Sequence, residues 1–301
     1  MKSAEQSLAI APPSSPSPDE PGPWTQRWRT FRRSRLALPG LLIFGFFVLL
    51  GLFAPWFAPF PPNANDLANI MTPPSGAHWF GTDELGRDIL SRIIFGARIS
   101  LIEGVLSVVI AVVLGVPIGV ISGYAAGRTD AVIMRLIDVL MAFPGVLLAI
   151  VIISVLGPSL INAILAVAIY TVPVFARLAR ALTLSTREEL YVEACRAIGM
   201  SHARIIALHV FPNISAPIFE MSTLRVAIAI LTCSSLSFLG LGAQAPLAEW
   251  GAMLSNSRTS MLIAPHLALF PGVAIILLVL GLNLLQDGLT LVFDPKAAQR
   301  K

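Results

Sequence analysis

Five stretches of more than about 20 residues, the length of a membrane span, contain no Asp, Glu, Lys or Arg: Leu36–Asn65, Gly104–Gly127, Val139–Ala176, Val226–Ala248 and Thr259–Gln286. Crossing the hydrocarbon of a bilayer takes about 20 apolar residues, and a charge at the centre of such a span costs ~2.5–3.5 kcal/mol on insertion scales, so runs this long and this clean point to a membrane. Hydrophobic residues make up 55% of the chain and charged ones 13%, roughly half the charged share of a water-facing protein, which excludes a disordered, collagenous or ordinary soluble chain. The third run is too long for one span. Gly157-Pro158-Ser159 divides it, because proline ends a helix and the small residues tolerate a turn. An all-α protein of six transmembrane helices is therefore predicted, near Leu36–Phe57, Leu101–Tyr124, Leu136–Leu156, Leu160–Ala176, Ile218–Leu239 and Leu267–Leu285.

Lys and Arg orient the bundle. With an even number of spans both ends share one side; of the 21 basic residues, sixteen fall there, four (Arg87, Arg92, Arg98 and Arg258) fall opposite, and Arg225 lies within a span. Both termini are thus expected in the cytoplasm. Trp56, Trp79 and Trp250 are expected near the outer interface, Trp24 and Trp28 near the inner one. The Pro/Ser-rich stretch before Arg27 lacks the apolar core of a signal peptide, so the first helix is expected to stay. The net charge of +4 does not indicate nucleic acid, since the basic residues mark the ends of apolar runs. Arg27, Arg29, Arg32 and Arg33 beside Trp24, Trp28 and Phe31 suit a lipid-headgroup interface. Cys195 and Cys233 are expected in different environments and unpaired.

Inside the spans, Gly115, Gly119 and Gly123 recur at four-residue spacing and form a stripe on which a neighbouring helix can pack closely. Pro117, Pro144, Pro173 and Pro217 lie within or beside spans, where each removes a backbone donor and bends the helix. Glu103, Asp138, Glu220 and Asp287 are read as lying near helix ends. Arg225 is the one deep charge, read as lining a water-filled path, as paired with Glu220, or as marking a helix that begins below the membrane.

The longest connection on the inner side, 177–217, reads as two short helices. Ser185-Thr186-Arg187-Glu188-Glu189 offers overlapping capping boxes for the first, with Leu190, Ala194, Ala197 and Ile198 on one face. Gly199 supplies its left-handed end, Ser201 caps the second helix and Pro212 limits it. Spacing alone leaves a docking element and a structural loop equally open.

The residues of this loop resemble a known family. Glu193-Ala194-Cys195-Arg196-Ala197-Ile198-Gly199 followed by His209-Val210-Phe211-Pro212-Asn213 is similar to the "EAA" loop of ABC importer permeases. His78-Trp79-Phe80-Gly81-Thr82-Asp83-Glu84-Leu85-Gly86-Arg87-Asp88, Leu236-Ser237-Phe238-Leu239-Gly240-Leu241-Gly242 and Phe293-Asp294-Pro295-Lys296 resemble the C-type permease of dipeptide/oligopeptide importers. The resemblance covers about 24–297.

It implies a type I importer permease: a cytoplasmic tail over 1–35, a first transmembrane helix over 36–58, an extracytoplasmic loop over 59–99, a permease core over 100–290 with its coupling loop near 185–213, and a short cytoplasmic tail over 291–301. It also implies a second permease subunit, two ATP-binding subunits under the bundle, an extracytoplasmic solute-binding protein, and a bacterial inner membrane around the complex. In the family the loop docks on the ATPase. Glu193, Ala194, Gly199 and Pro212 match that motif, His209 lies within the matching run, Cys195 stands where alanine is usual and Phe211 where leucine is usual. No activating histidine is evident beside Cys195.

The chain is expected to be no enzyme and to bind no cofactor, ATP being hydrolysed by its partners. A phosphate-binding Gly-Lys-Ser/Thr needs a lysine after glycine, and Lys2, Lys296 and Lys301 are none of these. No metal site is expected, since no paired-His or HExxH spacing joins His78, His202, His209 and His266. The substrate implied is a dipeptide or oligopeptide, with glutathione and nickel chelates as alternatives. Rival readings are an ion-driven secondary transporter, which needs a relay of buried acids, and a membrane hydrolase, which needs a GxSG or HExxH motif.

Overall fold

The computed structural model describes residues 36–293, so the expectations for the N-terminal tail and for 294–301 lie outside the described residues. Helices account for nearly all regular structure: α1 (Ala37–Leu52), α2 (Ala54–Phe57), α3 (Ile89–Ala125), α4 (Gly127–Met141), α5 (Gly145–Leu156), α6 (Leu160–Arg187), α7 (Leu190–Ala197), α8 (His202–Ile205), α9 (Phe211–Phe238), α10 (Trp250–Asn256) and α11 (His266–Phe293). Among the described residues there is no strand, only an isolated bridge between Thr82 and Asp88.

Among the described residues four helices are long and apolar enough to cross a membrane: α3, α6, the continuous helix His202–Phe238 and α11. The remaining expected spans differ from simple rods. Leu136–Leu156 is not one helix but the pair α4 and α5, bent by 84°. Pro144 is the cause: it has no N–H to continue α4, disfavours helical backbone at Phe143, and itself sits extended (φ −57°, ψ 126°) as the residue before α5. α1 has 16 residues, about 24 Å, and stops at Phe53 just before Pro55.

Two other boundaries move outward, because a charge-free run is a shorter object than a helix. α3 begins at Ile89 rather than near Leu101, with Asp88 accepting from the Ser91 amide at 2.8 Å as its cap. Arg92 is tolerated there because its guanidinium donates to the carbonyls of Pro62 (3.0 Å) and Leu247 (3.4 Å). α6 continues past Ala176 to Arg187, its arginines reaching partners on α3 and α4. The turn at Gly157, in left-handed backbone (φ 90°), ends α5, and Ser159 accepts from Asn162 N to start α6.

The principal packing is α3 against α6. A Cβ on Gly115 would stand 2.7 Å from the Val172 carbonyl and one on Gly123 2.8 Å from that of Arg180; one on Gly119 would overlap the Ala176 carbonyl. The glycine stripe therefore lies on the backbone of α6. Val108, Val116, Val167, Phe175, Ile214 and Leu236 fill one core between α3, α6 and α9, and Phe47, Ile89, Ile93, Trp250 and Leu278 a second between α1, α3, α10 and α11. Trp250 is not interfacial as expected: it is 0% exposed and its indole N–H donates to the Ile93 carbonyl at 3.1 Å. Trp56 and Trp79 are on the surface. The outer faces carry exposed Leu42, Val113, Val151 and Leu269, an apolar exterior suited to lipid.

Candidate functional site: the loop between α6 and α9

The backbone of this loop is more tightly determined than its sequence suggests. The expected capping boxes do not form: Ser185 and Thr186 remain inside α6, where the Thr186 hydroxyl donates back to the Leu182 carbonyl at 2.9 Å, and α7 starts after Glu189 without a side-chain cap. Its C-terminus is closed by two backbone bonds. Met200 N donates to Cys195 O at 3.0 Å and Gly199 N to Arg196 O at 3.0 Å, with Gly199 left-handed (φ 81°), which is the Schellman arrangement. Pro212 does not limit the second helix. A π-helical turn over Ile206–Val210 joins α8 to α9 in one continuous helix, and Pro212 lies inside that helix directly after the turn.

The apolar face anticipated for α7 points outward. Leu190 is 81% and Ile198 78% exposed, and Ala194 and Ala197 lie on the same exposed side. Val192 is instead the buried anchor, with Ile205 and Val210 beneath the second segment. Glu193 is exposed. Cys195 turns inward, and a histidine does stand beside it: its Sγ lies 3.5 Å from His209 Nε2, which the sequence did not foresee because fourteen residues separate the two. His209 also faces the Tyr191 ring, whose hydroxyl accepts from Asn213 at 2.9 Å. Two further contacts tie the loop to the end of α3: the Tyr124 hydroxyl is 3.1 Å from His202 Nδ1, and Arg196 lies over the Tyr124 ring.

Alongside, α4 is clamped to α6. Arg180 donates to both oxygens of Asp130 at 2.5 and 2.6 Å, and Ser122 also donates to that carboxylate. Asp130 lies in the polar first turn of α4, ahead of the apolar run, and the Arg180 hydrogen bonds hold its carboxyl below the usual range, with Ser122 adding to the effect. Arg177 pairs with Asp138 at 2.5 Å. Polar contacts thus join the loop to the end of α3, and α4 to α6.

Higher in the bundle, Arg225 is half-buried on α9 and its Nε has no hydrogen-bond partner. Glu220 does not pair with it, since that carboxylate accepts from Thr290 on α11 at 2.5 Å. Across from this stretch the Tyr170 hydroxyl donates to Thr232 at 3.1 Å, joining α6 to α9. Glu103 corrects the sequence reading: it is not near a helix end but in the body of α3, fully buried, with neither carboxylate oxygen hydrogen-bonded.

On the opposite side His78–Asp88 forms a closed structural knot. Asp83 accepts from Arg87 Nε at 2.7 Å, His78 Nδ1 is 3.0 Å from Asp88 Oδ1, and Asp88 caps α3. A cavity of 380 Å³ beside it is lined by Asp83, Glu84, Arg87, Arg92, Met253 and Asn256 among others.

Residues 115–299, which contain this loop and its clamps, match the family model described as binding-protein-dependent transport system inner membrane component. The chain belongs to that family of importer permeases. Residues 22–74 match a second model, the N-terminal transmembrane domain of oligopeptide transport permease C. Among characterised relatives, the permease is 47% identical over 275 residues to the glutathione transport system permease protein GsiD of Escherichia coli, covering 91% of each chain. It is 44% identical over 301 residues to the dipeptide transport system permease protein DppC of Alkalihalophilus pseudofirmus, covering 98% of this chain and 99% of that one. A solved structure of the MetNI methionine ABC transporter, in inward facing conformations, aligns with 66% of this chain and 94% of its own at a TM-score of 0.56 and 16% identity, a likeness of fold. The permease of the ABC importer class expected from the EAA-like residues is therefore the family found.

Proposed function

We propose that this permease forms, with a second permease subunit, the path by which peptides cross the bacterial inner membrane, driven by two separate ATP-binding subunits and supplied by an extracytoplasmic solute-binding protein. The observation that carries this reading is the outward apolar face of α7. An exposed Leu190 and Ile198 on a short helix fixed by a Schellman turn is costly in water and suits insertion into a groove of another protein. Glu193, Ala194, Cys195, Gly199, His209 and Pro212 belong to this coupling loop, the first four on or beside the docking helix and the last two in the segment that returns to α9. In this reading α1 and the bent pair α4 and α5 complete six spans, and both termini lie in the cytoplasm. The subunit itself performs no chemistry. ATP binding draws the ATPases together, the docked loops move, and the contacts of Tyr124, Asp130 and Asp138 carry that motion into the bundle.

Glutathione is the second substrate reading, favoured by the 47% identity to a permease named for it. Dipeptide is favoured by the relative matched along nearly its whole length. The deciding experiment reconstitutes the permease with its partner subunits and measures ATP-dependent uptake of a labelled dipeptide, glutathione and a nickel chelate, each presented by the cognate binding protein. Uptake by this polypeptide alone, without an ATPase, overturns the proposal.

A further inference from the structure

Three elements of the bundle come together around Glu103. A Cβ on the adjacent Gly104 would overlap the Ile230 side chain of α9 and stand 3.2 Å from the Val226 carbonyl. Two turns earlier on α3, Gly96 takes the Trp250 indole at the start of α10. Gly251 of α10 in turn lies on the Ser234 backbone of α9. Within this closely packed region two carboxyl groups, Glu103 and Glu249, are each 0% exposed.

The two are treated very differently. Glu249 accepts from Gly251 N at 2.8 Å, Ala252 N at 2.7 Å and the Ser234 hydroxyl at 3.2 Å, so donors answer both of its oxygens. Among the described residues neither oxygen of Glu103 has a donor, and one turn away on the same helix the buried Ser100 hydroxyl also lacks a partner. From α9 the buried Cys233 thiol faces this region, and Arg225 lies eight residues before it, about 12 Å down the helix. From α6, Tyr170 reaches α9 through Thr232. α1 contains no titratable residue, and α11 carries His266 and Asp287 toward its two ends. A fully buried carboxylate without donors is the least tolerable state of such a site, and a carboxylic acid the natural one.

We propose that Glu103 is a proton-binding site of this permease: it holds one proton while α3, α9 and α10 are packed together, and releases it to water when they part during transport. The O–H bond breaks, its electron pair stays on the carboxylate, and water takes the proton; repacking reverses the step. The second half rests on the alternating-access reading above, whereas the first concerns the resting chain alone.

The test has two arms. Infrared spectroscopy of the purified full-length permease in lipid at neutral pH is expected to show a protonated-carboxyl band that is missing in Glu103→Gln, which is isosteric with the acid form, and restored in Glu103→Asp. Its absence from the wild type, or its loss on adding sodium at constant pH, overturns the proton site. In the reconstituted complex, ATP-driven uptake should depend on pH in the wild type and lose most of that dependence in Glu103→Gln. An unchanged pH profile with the band present overturns the release step. No uptake by any complex would count against the transport reading, while the band still decides the site.

Discussion

Gly119 lies inside α3, but a Cβ there meets the Ala176 carbonyl and stands 2.8 Å from the Ala179 methyl. Gly119→Leu therefore forces α3 away from α6 and should cost at least 1 to 3 kcal/mol, roughly the penalty of overpacking, seen as a lower unfolding temperature of the detergent-solubilised protein. An unchanged temperature would mean that the helices are not in contact there. Trp250 makes the reverse case: fully buried and hydrogen-bonded, it should lose about 3 to 5 kcal/mol on Trp250→Ala. The four-residue glycine spacing was legible as a packing stripe. The burial of Trp250 was not, because interfacial and core tryptophans have the same neighbours in sequence, and only the approach of α10 to α3 distinguishes them.

Among elements, α7 and α4 depend on local devices that can be removed one at a time. Gly199 is left-handed, and beyond its own chain neighbours nothing lies within 4 Å of where a Cβ would stand, so Gly199→Val is penalised by backbone conformation alone, about 1 to 2 kcal/mol. Its expected outcome is a frayed α7, reduced ATP-driven uptake and normal membrane insertion; wild-type uptake would show that the turn is dispensable. The clamp of α4 to α6 is electrostatic. Asp130→Asn should destabilise by about 1 kcal/mol, since Asp130 and Arg180 are partly exposed. Because Arg180 depresses the Asp130 pKa, this contribution is complete at neutral pH, where the group is ionised in both folded and unfolded chains. It fades below the ordinary carboxylate pKa of about 3.9, as pH falls through the folded value. Thermal unfolding of wild type and Asp130→Asn should therefore converge in acid and diverge at neutral pH. The capping boxes expected at Ser185 and Thr186 do not form because both residues lie inside α6, where the Thr186 hydroxyl bonds the helix backbone and the helix has no reason to stop where its apolar stripe stops.

For the whole molecule, function is predicted to reside in one exposed face. The double substitution Leu190→Asp and Ile198→Asp changes two surface residues and should alter stability by no more than about 0.5 kcal/mol, yet abolish co-purification with the ATP-binding subunits. Retained binding by that variant would move the docking surface elsewhere.

The order of residues by itself determined that this chain belongs in a bilayer and where its apolar segments lie, because the cost of placing a charge in hydrocarbon arises residue by residue and depends little on neighbours. It also determined the family, through the EAA-like loop. Tertiary structure alone decided that α4 and α5 meet at 84°, that α7 turns its apolar side outward, and that Cys195 meets His209. It also placed Glu103 deep in the bundle: any acid ends a charge-free run by definition, so a scan of such runs cannot tell one at a helix end from one whose helix continues past it into the core.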